Sequence, residues 1–270
     1  MAWDPDFFHT AFPRVEERFR ARLDESLEPR DPSVLLQVVR ELGLPPDSVV
    51  VDVGCGSGEH AFRLATHFGF DVLGIDSVQR HLDLARAARR DQPEPIASRV
   101  SFERGSATAV PLREGRVDLV WCRDALGRVE DLAEAYAEMA RVLRPGGYVV
   151  SHQVVATDRL DAVDGAWLCD VLGLVPESLD PHVIDAAIDA SGLRHVDAVD
   201  LGTEWGEWAE ESSGQASRAL LHLARLRRDP DRYRSEFGDA AYDVMEADCA
   251  WQVHRLTGGL VGRIDVLVRP

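Results

Sequence analysis

The sequence predicts an α/β protein built on one mostly parallel sheet of seven strands, with a helical cap inserted before the last strand. Three observations carry this reading. From about residue 48, short apolar, β-branched runs alternate with segments of helical periodicity, the pattern of strands joined by crossover helices. One such run, "VVVDVGCGSGEH" at 49–60, breaks into glycines at alternate positions and then reads as a helix. Residues 203–257 separate the last two strand-like runs, a connection too long to be structureless inside a compact domain.

The elements follow in order. Residues 1–45 are expected to form an N-terminal helical arm, with helices at about 11–27 and 32–43, the second bounded by prolines. Residues 46–155 make the core, with strands at 48–54, 71–76, 100–105, 117–123 and 147–155. Helices at about 59–68, 78–90 and 131–143 lie between them; in the last, Leu132, Ala135, Tyr136, Met139 and Leu143 share one face, and "RPGG" ends it. Residues 156–202 extend the fifth strand and add a short helix at 181–191 and a sixth strand at 195–202, with 156–180 a second, shorter lid candidate. Residues 203–257 form the cap, and 258–270 hold the final core strand, marked at 259–269. A chain of 270 residues buries one large core plus such a cap.

Composition excludes several chemistries. The 47 acidic residues outnumber 30 basic ones, a formal charge of -17, and all 30 are arginine. A phosphate loop of the Walker type, a Schiff-base cofactor and a catalytic lysine all need an ammonium group that this chain does not contain. The acid excess opposes binding to nucleic acid, whose affinity rests on cationic contacts to phosphates. Cys55, Cys122, Cys169 and Cys249 are far apart and read as reduced cytosolic thiols, and the nine histidines show no zinc spacing. No apolar run approaches the about 18 residues of a membrane span, so the expectation is a cytoplasmic protein without signal peptide or anchor.

The glycine turn is the most informative stretch. A strand that ends in glycines and opens a helix brings backbone N–H groups and the positive helix end to a ligand. A dinucleotide fingerprint reads G-x-G-x-x-G, whereas Gly54, Gly56 and Gly58 read G-x-G-x-G and are followed by Glu59, a poor neighbour for pyrophosphate. Asp52 adds a carboxylate at the strand end, either to receive an ammonium group or to hold the turn by accepting backbone N–H bonds. A ligand carrying positive charge suits this turn better than a phosphate.

These residues resemble a family. "VDVGCGSGEH" is similar to the first motif of the class I S-adenosylmethionine (SAM) dependent methyltransferases, and the likeness continues in register for about 100 residues. Asp76, in "GIDSV", matches the acidic residue that pairs with the ribose hydroxyls in that family; "GSATAVPL" resembles the loop that contacts adenine, with Ser106 where relatives often have Asp. "RVDLVWCRDALGRVED" resembles the fourth-strand motif, with Gly127 and Arg128 where relatives commonly have His, and "LRPGGYVV" the turn into the fifth strand. The resemblance implies a doubly wound, Rossmann-like sheet and SAM as cofactor. It assigns cofactor contacts to Asp52, Gly54, Cys55, Gly56, Gly58, Asp76, Ser77, Ser106, Ala107 and Arg123.

Function is read from the same resemblance: methyl transfer to O or N, with C behind, of a small-molecule acceptor in specialised metabolism. Two rivals stand beside it, a SAM enzyme using another electrophilic carbon, as in an intramolecular cyclisation, and a non-catalytic SAM-binding protein. His152, expected at the end of the fifth strand, is a base or substrate-orienting candidate or else a histidine bonded within the sheet; Asp124 either orients the substrate or caps structure. Trp167, Trp205, Trp208 and Trp251 either wall an acceptor pocket or fill the cap's core. The acidic run "EWGEWAEE" suits a cationic acceptor or is a solvated helix face. Phe8 covers the sulfonium by a cation–π contact or docks hydrophobically. No nucleic-acid, membrane or metal partner is expected, and a homodimer is left open.

Overall fold

The structure, a computed structural model, describes residues 4–270, so residues 1–3 of the arm lie outside it. The strands are β1 (Val49–Val53), β2 (Asp71–Asp76), β3 (Val100–Arg104), β4 (Val117–Arg123), β5 (Leu143–Ala156), β6 (Arg194–Gly202) and β7 (Leu260–Val268). They form one sheet in the order β3-β2-β1-β4-β5-β7-β6. Pairings from β3 through to β5 are parallel, and β7 runs antiparallel to both β5 and β6. The central strands are apolar without alternation because both faces are covered: Val50, Val51 and Val53 of β1 and Leu119, Val120, Trp121 and Cys122 of β4 are all buried.

The core therefore has two layers. On one face α6 (Leu132–Val142) and α8 (Pro181–Ala190) bring Leu132, Tyr136, Met139, Ile184 and Ile188 onto Val51, Val53, Val120 and Val149. On the other, α2 (Val34–Glu41) and α3 (Glu59–Phe68) bring Leu35, Val39, Ala61 and Leu64 onto Val50, Leu119, Trp121 and Val150. Removing side chains of this size from water stabilises the fold by about 1.5–3 kcal/mol each. Helix α6 starts where Asp131 accepts the Glu134 N–H at 2.8 Å, and its predicted apolar face is the buried one. Its end differs from expectation. "RPGG" does not form a free turn: the helix stops at Val142 and Leu143 already pairs with Val117, the bulge before Leu119 absorbing the extra residues.

The remaining helices are α1 (Phe12–Leu23), α4 (Gln79–Arg90), α5 (Glu94–Ala97), α7 (Ala162–Leu172), α9 (Glu204–Ser213), α10 (Gln215–Arg228), α11 (Pro230–Phe237) and α12 (Asp239–Thr257). Leu168 of α7 shares a third apolar cluster with Ala219 and Leu223 of α10 and Ala247 and Ala250 of α12. The two lid candidates of the sequence thus pack as one cap. α9 crosses α12 at Gly206, where a Cβ would lie 2.6 Å from the Arg255 carbonyl oxygen, so only glycine permits this approach. No helix among the described residues is long and apolar enough to cross a membrane.

Candidate active site

Strand order reverses between β1 and β4, and in an open α/β sheet the crevice beyond the carboxyl ends at such a reversal receives the ligand. Here the glycine turn follows β1 and Asp124 follows β4. Gly54 has φ +73°, and a Cβ there would sit 2.3 Å from that of Ala125, so the turn can pass β4 only without a side chain. The N–H groups of Gly54 and Cys55 both donate to the Ile75 carbonyl at 2.9 Å. Asp76 secures the turn from β2: one carboxylate oxygen accepts the Gly56 N–H at 3.0 Å and lies 3.2 Å from His81 Nδ1, and the other accepts the Val78 N–H at 2.8 Å.

The cavity between these loops has a volume of about 560 Å³, within the range of ligand sites. Gly54, Gly56, Asp76, Ser77, Ser106, Ala107, Thr108 and Asp124 contribute to its wall. Five carboxylates line it (Asp76, Asp124, Glu130, Asp131, Glu134) against the single guanidinium of Arg128 and the imidazole of His81. That balance repels a phosphate and favours a cation.

A second cavity, about 300 Å³, lies under the cap and shares Asp124 and Arg128 with the first. Leu172, Leu174, Leu179 and Val154 supply apolar wall, and α12 adds Asp248, Trp251, Gln252 and Arg255, which its turn spacing places on one face. Asp124 stands at the junction with φ +57°, in the left-handed region that Asp and Asn tolerate better than other side chains. Its carboxylate accepts from His152 Nδ1 at 2.8 Å and meets Arg123 Nε at 3.3 Å. Burial pushes the Asp124 carboxyl up, but the His152 bond and the charges of Arg123 and Arg255 outweigh it and hold it below the usual carboxylate range.

A methyltransferase-domain family model matches residues 51–151, the stretch from β1 to β5 that builds the first cavity. Over this stretch the chain is similar to the SAM-dependent methyltransferases. Among its relatives, "Methyltransferase GfsG" of Streptomyces halstedii is 34% identical over 170 residues, 62% of this chain and 60% of that one. The 27-O-demethylrifamycin SV methyltransferase of Amycolatopsis mediterranei is 31% identical over 183 residues, 64% of this chain and 65% of that one. The chain thus spans less than two thirds of the length of both. A putative sarcosine dimethylglycine methyltransferase of Galdieria sulphuraria shares the fold, with a TM-score of 0.66 over 99% of this chain and 91% of that one at 15% identity.

The methyltransferase cradle fits a sulfonium nucleoside on its own chemistry. Gly56, where a Cβ would meet nothing within 4 Å, leaves the backbone open on the cavity side, the Asp76 carboxylate is fixed at the rim of the cavity, and the surrounding charge is negative. Among the residues expected to contact the cofactor, Gly54, Gly56, Asp76, Ser77, Ser106 and Ala107 line the cavity. Asp52, Cys55, Gly58 and Arg123 fall outside its lining: Cys55 is buried behind the turn, Gly58 caps α3, and Arg123 donates to His60 Nε2 at 2.6 Å and lies 5.3 Å above the Trp205 ring.

The catalytic and acceptor candidates separate in the same way. Asp124 lines both cavities, whereas His152 is 1% exposed, stacked at 4.0 Å on Trp205, with Nε2 facing no partner. β5 continues to Ala156 because β7 pairs with it that far, which puts His152 inside the sheet rather than at a strand end. Neither cavity is lined by Trp167, Trp205, Trp208 or Phe8. Trp167 packs in the cap cluster, Trp208 is partly exposed on α9, and Phe8 is exposed and stacked on Phe12. Trp251 is the tryptophan that reaches the second cavity. The acidic run is engaged elsewhere: Glu204 with Arg30, Glu207 with Thr203, Glu210 with the N–H groups of Ala216 and Ser217, and Glu211 with Ser26. Arg255, Gln153 and Asp248 were not among the expected site residues; they come together only once the cap is docked.

Asp52 gives a pH prediction. It is 2% exposed and accepts the Ala61 N–H of α3, and burial, with the neighbouring Asp76 charge adding to it, pushes its carboxyl up to about 7. A carboxyl raised in the folded state binds its proton more tightly there, so stability is fully present below its unfolded pKa and is lost as pH rises toward the folded one. Asp52→Asn keeps the acceptor and removes the ionisation, so it should raise Tm more at about pH 8 than at about pH 5, the difference being on the order of 2 kcal/mol. Thermal melts of both proteins at the two pH values check this; an equal shift at both would place the buried charge elsewhere.

Proposed function

We propose that the protein transfers a methyl group from SAM to oxygen or nitrogen of a small-molecule acceptor of specialised metabolism, held in the cavity beneath the cap. The supporting observation is that Asp124 belongs to the walls of both cavities, where donor and acceptor would meet. SAM supplies an electrophilic methyl on a positively charged sulfur. Asp76 would take the ribose hydroxyls, the Gly54–Gly56 turn the backbone-facing side of the ligand, and the Ser106–Thr108 loop the base. The protein's work is alignment in a site sheltered by α7 and α12, worth up to about 7–11 kcal/mol in favourable cases.

An acceptor hydroxyl or amine becomes strongly acidic only as its new bond to carbon forms. A carboxylate can therefore take the proton even when its own pKa is low, provided it stays ionised and in place. Asp124 meets both conditions, with His152 and Arg123 fixing its orientation. His152 acts here as a positioning residue. Incubation with SAM and a panel of small hydroxyl- and amine-bearing acceptors should yield adenosylhomocysteine and a product heavier by one methyl, read by mass spectrometry. Methylthioadenosine in its place would favour the cyclisation reading, and SAM binding with no product across the panel the binding-protein reading.

A further inference from the structure

Two guanidinium groups face the cap cavity with little to hold them. Arg255, half-buried on α12, has no hydrogen bond and no ion pair among the described residues; Arg128 makes one long contact, 3.3 Å, to the Leu172 carbonyl. Arg128 is exposed, whereas every other described arginine as buried as Arg255 has a carboxylate or carbonyl partner, as Arg141 has Glu138 and Arg263 has Asp185 and Asp265. Burial lowers the pKa of Arg255, and the nearest opposite charge acting on it, Asp124, is already engaged by His152 and Arg123. The remaining carboxylate of the cavity, Asp248, is exposed to solvent. A half-buried cation without a partner costs free energy that a bound anion returns, and a guanidinium fork matches an oxyanion in shape.

Resting on the methyltransferase reading above, we infer that the acceptor is an amphipathic organic anion. Its carboxylate or phosphate sits on Arg255 and Arg128, and its apolar skeleton lies against Leu172, Leu174, Leu179 and Trp251. The negative charge serves selection rather than chemistry: it makes the cap cavity complementary to an anion beside a cofactor cavity that is complementary to a cation.

The test is calorimetry on the full chain saturated with adenosylhomocysteine, titrated with hexanoate, hexyl phosphate and hexanol at up to millimolar concentration. At least one anion should bind about tenfold or more tightly than the alcohol, and the two anions tell carboxylate from phosphate recognition. Arg255→Gln and Arg128→Gln should each weaken that anion by roughly tenfold or more and leave the affinity for hexanol unchanged, and Arg255→Gln, outside the cofactor cavity, should also leave the affinity for adenosylhomocysteine unchanged. Should Arg255→Gln fail to fold, Arg128→Gln at the exposed side of the cavity carries the same comparison. Equal affinity for anion and alcohol, undiminished anion binding in the variants, or no anion binding while adenosylhomocysteine binds would each overturn the inference. Failure of adenosylhomocysteine itself to bind would instead remove the cofactor reading on which it rests.

Discussion

Asp76→Ala is expected to weaken adenosylhomocysteine binding by at least about a hundredfold, roughly 3 kcal/mol, while leaving the sheet folded. The carboxylate does two things at once. It accepts the N–H groups of Gly56 and Val78, which holds the glycine turn and the start of α4 in place, and on the proposed reading it also takes the ribose hydroxyls. Charge-assisted bonds of this kind are worth about 1.5–3 kcal/mol each, and the alanine variant loses all of them together. Asp76→Asn, which keeps the size and one acceptor, should fall between the two. Titration calorimetry, with circular dichroism as a folding control, decides the matter: a dissociation constant within a few-fold of the parent would remove Asp76 from the ligand site.

Asp124→Asn should lower kcat by about 10²–10⁴ with SAM affinity changed no more than a few-fold. The substitution is clean for a structural reason. At φ +57° asparagine is the other residue that adopts this backbone readily, so the turn after β4 survives and only the negative charge is lost. Because the carboxyl is held below its ordinary range, the parent enzyme should show no loss of kcat/KM from this group as pH falls through the range where a free carboxylate begins to protonate, about pH 5 to 4. Single-turnover rates with an acceptor from the panel, measured against pH, report both effects. An unchanged rate in the variant would mean that the acceptor loses its proton to water or has none to lose, as a carbon nucleophile would allow.

His152 shows why one half of this pair was harder to read than the other. Its neighbours in "VVSHQ" suit either a strand end at the ligand crevice or a histidine bonded within the sheet. β7 arrives from the far end of the sequence and pairs with β5 as far as Ala156 and Leu260, which carries the strand four residues beyond His152 and buries the ring against Trp205. The same long-range pairing decides between those readings: His152 is buried in the sheet and bonded to Asp124. Trp205 is the second case: indole surface fills a core or walls a pocket equally well, and only the docking of α9 on the sheet separates the two roles.

The lining of the first cavity was legible because it is local. Gly54, Gly56, Asp76 and Ser106 lie at successive strand ends, and a parallel sheet with crossover helices sets those ends side by side whatever else the chain does. The absence of lysine and the acidic balance likewise needed no coordinates. The acceptor cavity was not legible, because α12 carries polar and apolar residues on several faces and no repeating apolar stripe says which one turns inward. Asp248, Trp251 and Arg255 meet Arg128, Leu174 and Gln153 only after α10 and α12 have packed with α7, so their meeting depends on packing between segments more than 70 residues apart rather than on spacing within any one of them. The sequence alone determined the sheet, the glycine turn and the carboxylate at the rim of the first cavity, through backbone geometry that repeats at every strand end. Tertiary structure decided which side chains enclose the acceptor, since burial of the cap's apolar surface, not local propensity, orients its helices.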